Sequence, residues 1–540
     1  MRIAQPMSIG LAEMKEKHPD KSRRSRTSAL SMGAAEFREI GHRLIEQIAD
    51  FYDSLPQRAL MPSKTPAQIR ELLGPGGLPE KGTTAGELLE QAAPMLFANS
   101  LHNGHPGFLG YISASGSPLG ALADLLAAAV NPNLAKWELS PVASEIEKQT
   151  IRWLAELIGY PADCGGLMVS GGNSANFHGL LAARQAAAHW DLRRDGLYGA
   201  RKKLTAYVSR GTHTWIDKAA EICGIGAAAI RWIETDGRQR MSPQALRKQV
   251  ETDERGGCVP FIVVGTAGTI GTGAIDPLRE IAAFCREQGI WFHVDGAYGA
   301  PAACLDESPD DLHALALADS IAVDPHKWLY SPIEAACILT RDPDALRKVF
   351  DFRPDYYSFD AAADSGIDYY QHGLQNSRGF RALKVWLGLR CAGRDGYRAS
   401  IREDIALARY LYRSVEANRD FEARSLNLSV ATFRYLPRDM KDGGRDYLNS
   451  LNEAILAEVQ KSGRAFVSNA VVNGDYLLRA CVVNFRTTEP DIDSVISIIS
   501  EIGRCLHAKM RPKRLAASPP LESPNRDPAG YRDRRFEGSR

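Results

Sequence analysis

The chain has 540 residues, of which 44% are hydrophobic and 24% charged, with 66 Lys and Arg against 65 Asp and Glu. That length allows a sizeable core and more than one domain, and the balance is that of an ordinary globular protein. A net charge of +1 leaves no basic field for nucleic acid or an anionic membrane surface. The nine Cys are widely spaced and form no CxxC pair. This argues against a disulfide framework or a zinc knuckle, so free buried thiols are expected and no metal. The longest apolar stretch, Ala121 to Val130, is too short to cross a bilayer. With no signal-peptide core at its start, the chain reads as cytoplasmic.

Residues 1–32 are polar and basic and read as a disordered leader. Phe37, Ile40, Leu44, Ile45, Ile48, Ala49 and Tyr52 recur largely at spacings of three and four, predicting a helix that stops at Leu55-Pro56. A looser Pro- and Gly-rich stretch follows. Thr84, Gly86 and Glu87 lead a second helix towards Phe97. Residues 33–115 are therefore expected to form an N-terminal helical arm that packs on a second subunit or on the chain's own body. Within it, residues 102–118 are rich in Gly, Pro and Ser and read as a loop. Pro118 to Val130 and Pro141 to Ile158 read as helices.

From about residue 165 the rhythm becomes strand, turn, helix. Strands are expected at Gly166–Val169, Leu204–Val208, Ala229–Ile233, Val259–Val264, Ile290–Val294, Ser320–Val323 and Ala335–Leu339. Helices are expected at 174–188, 213–223, 243–250 and 277–288. Such alternation predicts an α/β fold, a mainly parallel sheet of seven strands covered by helices. The last two strands are joined too tightly for a crossover helix, so at least one pair should be antiparallel. Residues 116–385 would form this large domain. Residues 350–380 show little periodicity and read as a long binding loop. Residues 386–510 read as a small α+β domain, and residues 511–540 as a disordered tail.

Four stretches fall at the C-terminal ends of expected strands, the edge where ligands bind in open α/β sheets. Ser170-Gly-Gly-Asn-Ser-Ala-Asn176 joins a strand to a helix. Its glycines and free N–H groups suit an anion, and an ordinary capped turn has the same sequence. It is not GxGxxG and lacks a P-loop Lys, which favours a small phosphorylated cofactor over a nucleotide. His213 follows Ser209-Arg-Gly-Thr, placed to stack on a planar ligand or move a proton, or simply to serve the fold. Asp295 ends Phe292-His-Val-Asp, where a buried carboxylate needs a partner such as a protonated ring nitrogen; capping the next turn is the alternative. Lys327 ends Asp324-Pro-His-Lys. Partial burial and cationic neighbours would lower its proton affinity and make it nucleophilic, unless it is only a surface turn lysine.

Together these residues resemble the group II pyridoxal-phosphate-dependent decarboxylases, the family of the aromatic-L-amino-acid, glutamate, tyrosine and cysteine-sulfinate decarboxylases. His-Val-Asp-x-Ala-Tyr at 293–298 and Pro-His-Lys-Trp at 325–328 carry the resemblance, which runs from about Ala34 to Lys509. It implies the type I, aspartate aminotransferase-like fold, pyridoxal 5'-phosphate as cofactor, and a homodimer with shared active sites. By position, Lys327 matches the lysine that binds the cofactor covalently and Asp295 the partner of its ring nitrogen. Ala297 and His213 match the residues on the two ring faces, and Asn173 and Ser174 the phosphate loop. Thr266, His326 and Asp324 belong to the same shell, with Asp324 where the aromatic enzymes often have Asn. Tyr356 matches the loop tyrosine that returns a proton to the product. Tyr111, Ile112 and Ser113 stand where the aromatic enzymes carry Tyr-Phe-Pro, and Arg479 matches an arginine that contacts the substrate carboxylate in some members.

The expected activity is conversion of an L-amino acid to its amine and CO₂, with an aromatic substrate first. An acidic substrate comes second because of Arg479, and an aldehyde synthase or transaminase is the variant reaction. A dehydrogenase or a non-catalytic scaffold is disfavoured by the missing GxGxxG and by the intact Lys and Asp positions.

Overall fold

The computed structural model describes residues 28–511 except 75, 201, 353–365 and 441–443. Most of the expected leader, nearly all of the expected tail, and Tyr356 lie outside the described residues.

The chain divides into two compact units at Leu101 and His102. The first contains helices Ala34–Ser54, Pro66–Leu73 and Ala85–Asn99. Its first and last helices pair: Arg43 Nη1 donates to Glu90 Oε1 at 2.6 Å, and Phe51 stacks on Phe97 with ring centroids 4.6 Å apart. The middle helix was not expected from the apolar pattern. Its signal is Thr65 and Gln68, which form a reciprocal capping box.

The second unit holds two sheets. The larger comprises β1 Gly165–Val169, β2 Leu204–Ser209, β3 Ile230–Ile233, β4 Val259–Thr266, β5 Trp291–Asp295, β6 Ser320–Val323 and β7 Ala336–Thr340. Their order is β1-β7-β6-β5-β4-β2-β3. Strand β7 runs antiparallel to both neighbours, as the tight β6–β7 turn requires, and the other pairings are parallel. Strand β4 shows why this sheet forms. From Phe261 to Thr266 every side chain is buried, a continuous run that only a sheet covered on both faces can accommodate. Helices Gly172–Ala187, Trp215–Ile222, Pro243–Arg255 and Leu278–Gln288 supply the cover.

The smaller sheet is antiparallel, with β8 Phe421–Asn427, β9 Val430–Tyr435, β10 Ser468–Val472 and β11 Asp475–Cys481 in the order β10-β11-β9-β8. Helices Arg445–Ser462 and Glu489–Met510 pack on it around Leu451, Ile455, Val467 and Ile499. Residues 107–109, which the sequence places in the arm, join this core instead: Leu109 N donates to the Phe466 carbonyl and Cys481 N to the Leu109 carbonyl, both at 2.8 Å. Helix Ala382–Ala417 is interrupted at Gly393. Gly393 adopts φ 64°, ψ 178°, a conformation open essentially to glycine alone.

Candidate active site

Strands β1, β2, β4, β5 and β6 all point the same way, so Ser170, Arg210, Thr266, Asp295 and Asp324 share one sheet edge. A cavity of about 540 Å³ opens there. Its lining includes Tyr111, Ile112, Asn173, His213, Thr266, Asp295, Ala297, Asp324, His326 and Lys327, ten of the residues expected from sequence. Ser113 and Ser174 are not in the lining. The Ser113 hydroxyl accepts from Asn103 Nδ2 at 3.3 Å, and Ser174 lies in the first turn of its helix, its carbonyl 2.7 Å from His178 Nδ1. Arg479 lies behind the wall: its Nε donates to Ser468 Oγ at 3.0 Å and its Nη1 to the carbonyl of Ile270, a lining residue.

Lys327 sits in the turn between β6 and β7. Its N–H donates to the Asp324 carbonyl at 2.9 Å, and Tyr330 N donates to the Lys327 carbonyl at 3.2 Å. The Lys327 ammonium lies 2.9 Å from Asp324 Oδ2. Asp295 is buried at the end of β5, its Oδ2 accepting from Trp215 Nε1 at 2.9 Å and its Oδ1 from Ala297 N at 3.3 Å. His213 is half-buried, and its Nδ1 accepts from Trp215 N at 3.2 Å, which puts its proton on Nε2. Trp215 therefore orients both groups.

This constellation has close counterparts. A family model described as the pyridoxal-dependent decarboxylase conserved domain matches residues 66–435. The chain belongs to that family. It is 32% identical over 475 residues to an aromatic-L-amino-acid decarboxylase of Bacillus atrophaeus, covering 88% of this chain and 96% of the relative. The crystal structure of Catharanthus roseus tryptophan decarboxylase in complex with L-tryptophan superposes with a TM-score of 0.79 at 28% identity, covering 88% of this chain and 99% of that one. A 4-hydroxyphenylacetaldehyde synthase from Rhodiola rosea gives 0.78 at 28% identity, covering 88% and 99%. The protein is an amino acid decarboxylase of the type I fold, and its cofactor is pyridoxal phosphate.

The decarboxylase's own residues fit that cofactor. Helix Gly172–Ala187 begins at the cavity without a side-chain cap, leaving its first N–H groups for an anion. Gly172 lets Asp324 approach this end closely, because a Cβ there would lie 2.6 Å from Asp324 Oδ2. Two buried lining atoms, Thr266 Oγ1 and Asp324 Oδ1, have no partner among the described residues. Groups of this kind are normally satisfied, so a polar ligand is implied.

The electrostatics correct one expectation. The neighbours of Lys327 are anionic, not cationic. Burial works against its charge, but Asp324 and Asp295 outweigh burial and hold the ammonium above its ordinary pKa. His326, whose Nδ1 donates to the Ala335 carbonyl at 2.6 Å, is pushed below its ordinary pKa by burial and by Lys327, against the pull of Asp324. His213 is likewise lowered by burial, opposed by Asp295. Both imidazoles are thus neutral near pH 7 and leave the lysine's charge to the carboxylates.

Several residues of the decarboxylase site were not expected. Trp215 carried no motif, and Tyr298, Gly268, Ile270, Ile333 and Glu334 also line the cavity. Tyr298 stacks on Trp328, with centroids 4.9 Å apart. Trp328 Nε1 and Tyr330 Oη both donate to Asp404 Oδ2, at 2.8 and 2.6 Å. Burial pushes the Asp404 carboxyl up to about 7, against the pull of those two donors. The adjacency of Trp328 and Tyr330 to Lys327 is the one sequence signal that such an anchor exists. Its partner lies 74 positions beyond Tyr330.

Proposed function

We propose that this decarboxylase converts an aromatic L-amino acid to the corresponding amine and CO₂. The observation that carries the reading is the single cavity in which Lys327, Asp295, His213 and the Gly172 helix start meet beside an apolar wall of Tyr111, Ile112, Ile270 and Ile333. That wall suits an aromatic side chain, and the relatives named for aromatic amino acids support it.

Pyridoxal phosphate, when bound, supplies an electron sink for the pair left on the α-carbon as CO₂ departs. Lys327 would hold it at its aldehyde carbon. Asp295, oriented by Trp215, would hold a proton on its ring nitrogen. Ala297 and His213 would flank the ring, with Thr266 and His326 completing the shell. The backbone N–H groups of Gly172, Asn173 and Ser174 would receive the phosphate, with the side chains of Asn173 and Ser174 adding donors. Tyr356 would return a proton to the α-carbon. Tyr111 and Ile112 would meet the substrate side chain. Ser113 is turned to Asn103, and Arg479 reaches a substrate carboxylate only if Ile270 gives way.

The assembly we propose is a cytoplasmic homodimer with shared active sites. Leu122, Leu125, Leu126 and Val130 form one exposed apolar face on helix Pro118–Val130, which supports a covered surface there. No described helix is long and apolar enough to cross a membrane.

The test is a panel of L-amino acids assayed for CO₂, amine and aldehyde. Release of CO₂ and amine from phenylalanine, tyrosine or tryptophan is expected, and Lys327→Ala should lose both turnover and the cofactor's absorbance band. Turnover of glutamate alone, or an active Lys327→Ala enzyme, would sink the reading. Aldehyde, ammonia and peroxide as main products would favour an aldehyde synthase, a second reading supported by the likeness to the Rhodiola rosea enzyme.

A further inference from the structure

We propose that Asp324 sets the strength of phosphate binding in this site: its carboxylate stands against the helix start that would receive the phosphate and opposes the charge the phosphate brings. The inference rests on the cofactor's seat described above and goes beyond it.

Asp324 is 1% exposed. Its Oδ2 would be 2.6 Å from a Cβ on Gly172, so the carboxylate packs directly on the first residue of helix Gly172–Ala187. Helix N-termini attract anions, and here one anion is already built into the protein. Oδ2 is matched by the Lys327 ammonium at 2.9 Å, while Oδ1 has no partner among the described residues.

A cofactor held by Lys327 would engage the nitrogen that now matches Asp324, and its phosphate would bring negative charge to the same helix end. The other ionisable groups that face Asp324 do not compensate. His326 Nε2 is 3.7 Å from Oδ2 and His213 interacts from beyond β2, and both are held neutral near pH 7; Cys337 on β7 is a buried thiol. The first turn of the helix, Gly172 to Ala175, carries no ionisable side chain. Two anions in a desolvated site without a shared cation repel strongly. That repulsion weakens phosphate binding, and a neutral side chain at this position would remove it.

The test compares cofactor-stripped wild type, Asp324→Asn and Asp324→Ser, titrated with pyridoxal phosphate and with phosphate-free pyridoxal across pH. Bound fraction is read from absorbance and tryptophan quenching. Asp324→Asn should bind pyridoxal phosphate about tenfold or more tighter above neutral pH, with a smaller change for pyridoxal. Asp324→Ser should follow Asp324→Asn. Substitutions that leave pyridoxal phosphate affinity unchanged, or that change both ligands' affinities alike, would overturn the inference and leave the cofactor reading intact. A wild-type chain that binds neither ligand would overturn both.

Discussion

Asp404→Asn separates the charge of the lysine turn's anchor from its shape. In the native fold one oxygen of Asp404 takes the indole N–H of Trp328 and the hydroxyl of Tyr330. The folded carboxyl titrates at about 7, whereas an unfolded Asp titrates near its ordinary value of about 3.9. Between those values the folded chain holds a proton that the unfolded chain has released. Stability must therefore fall as pH rises from about 4 to about 7, by an amount on the order of 4 kcal/mol. The amide of Asp404→Asn carries no such proton, so the variant lacks this slope. Buried His178, His293 and His372 are lowered to about 4 and act in the opposite direction, favouring the fold as pH rises through their range. They are common to both proteins and cancel in the difference. The assay is urea denaturation of the cofactor-loaded enzymes at several values between about pH 5 and about pH 8. The wild-type midpoint should decline relative to the variant's as pH rises, the gap levelling off above neutrality. Parallel profiles would refute the assignment of a raised Asp404 pKa.

Glu147→Gln should destabilise the protein by about 3–5 kcal/mol, because it leaves Arg378 buried without its anion. Arg378 Nη2 lies 2.6 Å from Glu147 Oε1, and both residues are almost fully enclosed; a change of midpoint within error would contradict this. Trp215→Phe keeps an aromatic ring but removes the N–H on Asp295 Oδ2. A hydrogen bond to a charged group contributes about 1.5–3 kcal/mol, so cofactor affinity should fall roughly tenfold or more, measured by absorbance titration. Unchanged affinity would count against Asp295 as the ring-nitrogen partner.

What was legible in the sequence followed from local pattern. Runs such as Val-Pro-Phe-Ile-Val-Val announce a strand buried on both faces, and β4 occupies that place. Strand β8 went unseen because Phe421-Glu-Ala-Arg-Ser-Leu-Asn mixes charge into an edge strand with only one fully buried position. Helix Pro66–Leu73 has no buried residue to betray it, and only its cap speaks. In the site, Lys327, Asp295, His213 and Asn173 were legible because each lies within a few residues of a strand end or helix start at one sheet edge. Arg479 was legible as a cation but not in its setting, since Ser468 is its cross-strand partner on β10, set by register, and Ile270 lies in the connection after β4, far away in the chain.

The same limit explains the two carboxylates that hold the turn. Asp324 is three residues from Lys327, and its position could be read; the lysine charge it would hold could not, because that depends on His326 turning to the Ala335 carbonyl and staying neutral. Asp404 acts on the other side of Lys327 through Trp328 and Tyr330, from a helix far along the chain. The two acids have different tasks. Asp324 lines the cavity, so substituting it should change ligand binding more than stability. Asp404 is sealed in the core, bonded to Trp328 and Tyr330 behind the lining, so substituting it should change stability and its pH dependence first. The lysine turn therefore combines Asp324, supplied from within the turn, with Asp404, reached through Trp328 and Tyr330 from a helix far along the chain.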